Sequence, residues 1–194
     1  MNILIDLIPE EVEINGQIYP INTDFRTSIL FELMFEEPGL SEEEIIYNSL
    51  DLFFGDNKPE DLDLAIESIL WFYTCGRKKE ESGGGGDGKS DIKRIYSFEH
   101  DAEYIYSAFL TQYGIDLQDI DYLHWWKFRA MFNSLNDDLL FTKIMSFRAK
   151  EITSDMSDSE KSYYRKMKRL YALPDNRSPE EKESDFHEAI ARLV

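Results

Sequence analysis

Tyr122-Leu123-His124-Trp125-Trp126-Lys127-Phe128-Arg129-Ala130-Met131-Phe132 is the most apolar helical stretch of the chain, and its periodicity decides the fold class. At about 3.6 residues per turn, Trp125, Phe128, Phe132 and the following Leu135 share one face. Leu123, Trp126 and Ala130 lie beside that face, and His124, Lys127 and Ser134 take the remainder. So wide an apolar arc predicts a central helix packed on two sides, opened by Asp119 or Asp121. Two readings of its aromatic residues stand side by side. They form plain core, or part of the arc, with Tyr106 and Tyr113, is presented to a partner or a second copy, because Trp and Tyr are enriched at binding hot spots.

Working outward, helical spacing recurs on both sides. Upstream, Asp24 can cap a helix carrying Phe25, Ile29, Leu30, Leu33 and Met34. Ser41 with Glu44 forms a capping box before Ile45, Ile46, Leu50 and Phe53. Leu62, Ala65, Ile66, Ile69, Leu70 and Tyr73 make a third helix, with Glu60, Asp61 and Asp63 opposing the positive end of its dipole. Further upstream, Val12 and Ile14 alternate with Glu11 and Glu13 before Asn15-Gly16, which predicts a β-hairpin with a type I′ turn. Pro20 restricts the second strand to an edge or ends it. Residues 3–8 could add a third strand, which the pattern leaves open.

Downstream of residue 96, Ser97 can cap a helix with Ala102, Ile105, Tyr106, Phe109, Leu110 and Tyr113, closed by Gly114. Beyond the aromatic stretch, Asp137 and Asp138 open a helix with Leu139, Leu140, Ile144, Met145 and Phe147. Ser157 with Glu160 is a second capping box, and the helix it opens stops before Pro174. That helix carries Lys161, Arg165, Lys168 and Arg169 opposite Tyr164, Met167 and Tyr171. A last helix follows Ser178-Pro179 with Phe186, Ala189, Ile190 and Leu193. The expected class is mostly α, with an N-terminal hairpin and about eight helices.

A composition break divides the pattern. Arg77 to Ser82 is charged and Gly83-Gly84-Gly85-Gly86-Asp87-Gly88 follows, so residues 77–96 read as a flexible linker between an acidic lobe (1–76) and a helical lobe (97–194). Charge follows the same division. The first 76 residues hold 17 acidic side chains against Arg26 and Lys58, whereas the remainder holds 22 acidic against 19 basic.

With 194 residues, 42% hydrophobic and 14% aromatic, the chain can fill a core, which excludes disorder of the whole. A net charge of −18 and a pI near 4.5 exclude a phosphate-coating nucleic-acid binder and docking on an anionic membrane. The single cysteine, Cys75, cannot form an intramolecular disulfide. Met1 to Asp6 lacks a basic n-region, so no secretory signal is read there, and no run reaches the ~20 apolar residues of a membrane span.

Gly83-Gly84-Gly85-Gly86-Asp87-Gly88-Lys89-Ser90 matches the P-loop pattern literally. The pattern cradles phosphates only when a buried strand delivers the loop, and Arg77 to Ser82 cannot be one, so a solvated glycine linker is expected. His100, His124 and His187 are isolated, and no metal-ligand spacing occurs. Acidic pairs sit at helix starts, where capping explains them. No enzyme chemistry, cofactor or metal is expected.

Phe98-Glu99-His100-Asp101-Ala102-Glu103-Tyr104-Ile105-Tyr106-Ser107-Ala108-Phe109, then Gln112-Tyr113-Gly114-Ile115-Asp116-Leu117, then Leu123-His124-Trp125-Trp126-Lys127-Phe128 resembles a family of small proteins from tailed bacteriophages and prophages of Gram-positive bacteria, the gene-product-fifteen type. The family's gene lies just before the tape-measure gene. The resemblance implies a tail-assembly chaperone in the host cytoplasm. Such a protein binds the long, apolar, helical tape-measure protein, with the tail-tube protein as a further contact, until the tube polymerises. The family offers no catalytic residues to carry over. A chaperone of this kind needs apolar grooves for helices and enough charge to stay soluble. The candidate surface for a partner or for self-association comprises Tyr106, Tyr113, Trp125, Trp126, Phe128, Lys161, Arg165, Lys168 and Arg169. The basic face reads either as a solvated face or as one half of a head-to-tail contact with the acidic lobe of a neighbour, and a homo-oligomer is expected from the second reading. The rival reading is an acidic DNA-mimic inhibitor that displays carboxylates at phosphate-like spacing.

Overall fold

The computed structural model describes residues 2–37, 39–77 and 94–174. Alternation of Val12 and Ile14 with Glu11 and Glu13 produces β1 (Glu11–Ile14), which pairs antiparallel with β2 (Gln17–Pro20) in the register Val12↔Tyr19 and Ile14↔Gln17. Asn15 and Gly16 take φ of 53° and 79°, the two left-handed positions a type I′ turn demands. Val12, Ile14 and Tyr19 point into the core while Glu11 and Glu13 face out. Residues 3–5 form a turn rather than a third strand, with the Ile5 and Asp6 amides donating to the Asn2 carbonyl.

Seven helices follow among the described residues: α1 (Phe25–Met34), α2 (Glu42–Phe54), α3 (Leu62–Tyr73), α4 (Ala102–Tyr113), α5 (Trp125–Asn133), α6 (Leu140–Ala149) and α7 (Asp158–Leu170). The mostly α expectation with an N-terminal hairpin holds. The helix expected over 178–193 lies outside the described residues. Asp24 caps α1 through the Arg26 amide, and both capping boxes form, Ser41 with Glu44 and Ser157 with Glu160. Gly114 ends α4 at φ 65°.

Three helix starts differ from expectation. Ser97 caps a turn ahead of α4, its Oγ accepting from the Glu99 and His100 amides, and α4 itself starts at Ala102. Helix α6 begins after Leu139 with no side-chain cap, so Asp137 and Asp138 stay in the preceding turn. Neither Asp119 nor Asp121 opens α5. His124 does, accepting from the Trp126 amide at Nδ1, 3.0 Å. What fixes that start is tertiary: Phe25 N donates to Leu123 O and Trp125 N to Thr23 O (2.9 and 2.8 Å), a bridge between Asp24 and His124.

The same bridge corrects the expected separation into lobes. Residues from both sides of the composition break enter one apolar core, with Phe25, Phe53 and Phe72 joining Phe109, Trp125, Phe128 and Phe141. Phe128 lies between Phe25 and Phe109, each stacked at 4.9 Å. Arg26, one of only two basic residues in the first 76, donates to the Leu117 and Ile120 carbonyls, both at 2.9 Å. The linker is also shorter than read at its far end. Arg94 pairs with Glu36, and the Tyr96 ring packs on Phe98 and Phe132 at 5.3 and 5.2 Å.

Trp125, Trp126 and Phe128 are all buried, and their aromatic arc is core. This corrects their candidacy as a presented surface. The two indole N–H groups donate to the Tyr73 and Phe72 carbonyls, each at 2.8 Å. Those carbonyls belong to the last turn of α3, where helical geometry leaves acceptors without an intrahelical donor. Helix α5 therefore supplies the C-terminal cap of α3 from its own aromatic face.

His124 carries a pH consequence. Its Nδ1 accepts from Trp126 N while its Nε2 donates to the Pro9 carbonyl at 3.0 Å, which requires the neutral ring. Burial pushes its pKa below the ordinary value, against the opposing pull of the Pro9 hydrogen bond. A folded-state pKa below the unfolded one gives stability that is present above the unfolded value of about 6.5 and lost as pH falls through the folded value. The loss is confined to the interval between about 6.5 and the lower folded value, where it runs at no more than about 1.4 kcal/mol per pH unit. Urea unfolding at neutral and mildly acidic pH should register that fall in the wild type. His124→Asn, which keeps an accepting cap, should remove the His124 share of it.

Candidate functional site

Helix α1 has two apolar stripes. Phe25, Ser28 and Phe31 face the core, and Leu30, Leu33 and Met34 leave from another side. A helix that is apolar around most of its circumference needs cover on both sides, and α2 covers only part of the second. Between α1 and α2 runs an open groove of about 810 Å³. Leu30, Leu33, Met34 and Leu52 line it, and Glu36, Glu37, Asn48, Asp51, Glu99 and His100 complete its walls. Leu30 is 51% exposed, so the groove opens to solvent along an apolar wall. Two of its carboxylates are already neutralised, Glu36 by Arg94 and Asp51 by Lys58. Glu37 and Glu99 make no ion pair among the described residues.

The residues singled out from the sequence do not form this groove. Tyr106 and Tyr113 are half-buried, and their hydroxyls donate to Asp116 Oδ2 (3.0 Å) in the loop after α4 and to the Met131 carbonyl (2.8 Å) of α5. The basic face of α7 is split. Lys161 Nζ donates to Ser154 O at 3.0 Å and Lys168 Nζ to Arg148 O at 2.8 Å, whereas Arg165 and Arg169 stay exposed beside Lys166, which the sequence reading did not single out. The groove's signal was present as the spacing of Leu30, Leu33 and Met34 away from the Phe25/Phe31 stripe.

A second polar cluster lies under α1. Tyr73 Oη donates to Glu32, Arg129 donates to Tyr96 Oη at 3.2 Å, and Cys75 sits nearby. Burial raises the pKa of the Glu32 carboxyl, the Tyr73 phenol and the Cys75 thiol. A thiol held in its protonated form is a poor nucleophile. None of Glu32, Tyr73 and Arg129 lines the α1–α2 groove. The cluster ties α1, α3 and α5 together.

The P-loop-like residues 83–90 and His187 lie outside the described residues. The chain ahead of that loop is, among the described residues, helix and turn from Leu62 to Gly76. Among the described residues, no group of three His, Cys, Asp or Glu side chains could hold a metal ion. No described helix is long and apolar enough to cross a membrane.

Residues 4–173 match the family described as Bacteriophage Gp15 protein, nearly the whole length of the chain. The chain belongs to that family. As a Gp15 protein it is a phage protein, and the matched range takes in the hairpin, all seven helices and both walls of the groove. No curated protein and no solved structure matches it significantly.

Proposed function

We propose that this Gp15 protein is a tail-assembly chaperone that catalyses no reaction. It holds an apolar helical segment of the tape-measure protein in the α1–α2 groove and keeps that protein soluble until the tail tube forms. The observation that carries this reading is the groove itself. Leu30, Leu33, Met34 and Leu52 offer a trough for the apolar stripe of a helix, the recognition mode in which anchors recur at three- and four-residue spacing. Pairing of Glu36 with Arg94 and of Asp51 with Lys58 lowers the cost of covering those carboxylates with an apolar partner. Glu37 and Glu99 remain to meet basic residues that flank such a stripe. The net charge of −18 disfavours aggregation of copies gathered on one client.

The test is co-purification. Tagged chain co-expressed with the tape-measure protein of the same phage should retain it, and Leu30→Asp should lose it. Leu30 is half-exposed, so the substitution leaves the core intact and places a charge in the trough. Retention of the tape-measure protein by Leu30→Asp at the wild-type level would refute the groove. Recovery of a host nuclease or repressor in its place would support the DNA-mimic alternative.

A further inference from the structure

A different surface carries a second contact. Between β1 and α3 runs a smaller groove of about 410 Å³, lined by Glu11, Glu13 and Glu67 with Leu64 and Trp71. In contrast to the α1–α2 groove, none of its three carboxylates makes an ion pair or a hydrogen bond among the described residues. Alternation along β1 holds Glu11 and Glu13 on the outward side, opposite Val12 and Ile14. Trp71 is 40% exposed at the groove's edge.

Helix α7 presents the complementary chemistry. It has no buried residue along its 13 positions and is held by its capping box and by Phe147, whose ring meets Tyr163 and Tyr171. Its outer side carries Arg165, Lys166 and Arg169, which make no ion pair among the described residues. Tyr163 and Leu170 flank these cations as exposed apolar groups. A helix this short draws most of its stability from packing, and Arg165, Lys166, Arg169 and Leu170 on this side are all exposed.

We propose that the outer face of α7 docks into the β1–α3 groove of a second copy of this chain. Arg165, Lys166 and Arg169 meet Glu11, Glu13 and Glu67, and Leu170 and Tyr163 cover Leu64 and Trp71. The two surfaces are different patches of one molecule, so the contact is head-to-tail and a pair of copies keeps one free α7 face and one free groove. Such contacts close into rings or extend as filaments. The proposal does not rest on the client reading, because it uses neither wall of the α1–α2 groove.

Ionic strength alone is a poor probe here. Salt screens the local attraction and also the repulsion between copies that each carry a charge of −18. Charge exchange separates the two effects. In sedimentation velocity the full chain should assemble beyond a dimer as concentration rises. Arg165→Glu with Arg169→Glu, and separately Glu13→Lys with Glu67→Lys, should each raise the dissociation constant by about tenfold or more, since like charges then face each other. All four positions are exposed, and unchanged circular dichroism verifies that each variant is folded. An equimolar mixture of the two variants should also assemble beyond a dimer, because alternating copies join an unaltered α7 face to an unaltered groove at one junction and two charge-reversed surfaces of opposite sign at the next. The variant with all four substitutions should regain assembly. A wild type that stays monomeric up to about 1 mM, single-face variants that assemble like wild type, or a mixture that stays monomeric would each overturn the proposal.

Discussion

Trp125→Ala is expected to lower the unfolding free energy by about 3–5 kcal/mol, the range for removing a large ring from a packed core. The side chain is fully buried, and its ring stacks on Tyr73 at 5.4 Å and on Phe128 at 5.6 Å. Truncation therefore opens a cavity between the α3 terminus and the centre of α5. It also strips the Tyr73 carbonyl of its indole donor and leaves it only the weak donation of the Cys75 thiol at 3.9 Å. Marginal domains have only about 5–15 kcal/mol to lose, so the variant should be folded only in part near body temperature. Urea unfolding followed by circular dichroism measures the change. Trp125→Phe separates the contributions, because it keeps most of the ring volume and loses the N–H. A Trp125→Ala protein as stable as wild type that had lost only partner binding would restore the surface reading rejected above.

Breaking the Arg148–Asp101 pair should cost a similar amount. The guanidinium meets the carboxylate through two bonds, Nη1 to Oδ2 at 2.5 Å and Nη2 to Oδ1 at 2.9 Å, with both residues buried. Arg148 also donates to the carbonyls of Tyr171 and Ile95, and Asp101 accepts from the Ser97 amide. One guanidinium thus joins α6, the end of α7 and the segment that leads into α4. Asp101→Ala and Arg148→Ala should each destabilise by about 3–5 kcal/mol, because each leaves an uncompensated charge in the interior. Asp101→Leu combined with Arg148→Met removes both charges and should cost less than the sum of the two single changes. The remaining cost reflects the Tyr171 and Ile95 carbonyls, which no longer have a donor. A double-mutant cycle with zero coupling would contradict the bidentate pair.

Local chemistry made much of this fold legible. Ser41 with Glu44, Ser157 with Glu160, and Asn15-Gly16 each specify their geometry within four residues, and all three form as expected. The aromatic arc of α5 was legible as apolar, since Trp125, Phe128, Phe132 and Leu135 share a face, but periodicity left core and presented surface as open alternatives, and burial decides for core. The failures occur where distant residues decide. Asp119 and Asp121 are better caps by propensity than His124, yet the bridge to Asp24 fixes where α5 starts, and Pro9, 115 residues away, orients the capping ring. Composition separated the two halves at the glycines, but no local signal tells Phe128 that Phe25 will stack on it. The cations of α7 read as one face on a helical wheel; contact with Ser154 and Arg148 turns Lys161 and Lys168 inward and leaves Arg165 and Arg169 outside. The α1–α2 groove went unread because Leu30, Leu33 and Met34 were read together with Phe25 simply as the apolar positions of one helix. Periodicity says which residues share a side, and the neighbouring helix decides whether that side is covered.

The central claim is that an apolar helix of the tape-measure protein binds between α1 and α2. The most direct measurement co-expresses that protein with this chain and quantifies how much of it stays in the supernatant after high-speed centrifugation. Wild-type chain should hold it in solution, and Leu30→Asp should leave it in the pellet while remaining folded itself. Equal solubility of the tape-measure protein with wild type, with Leu30→Asp and with no added chain would contradict the claim.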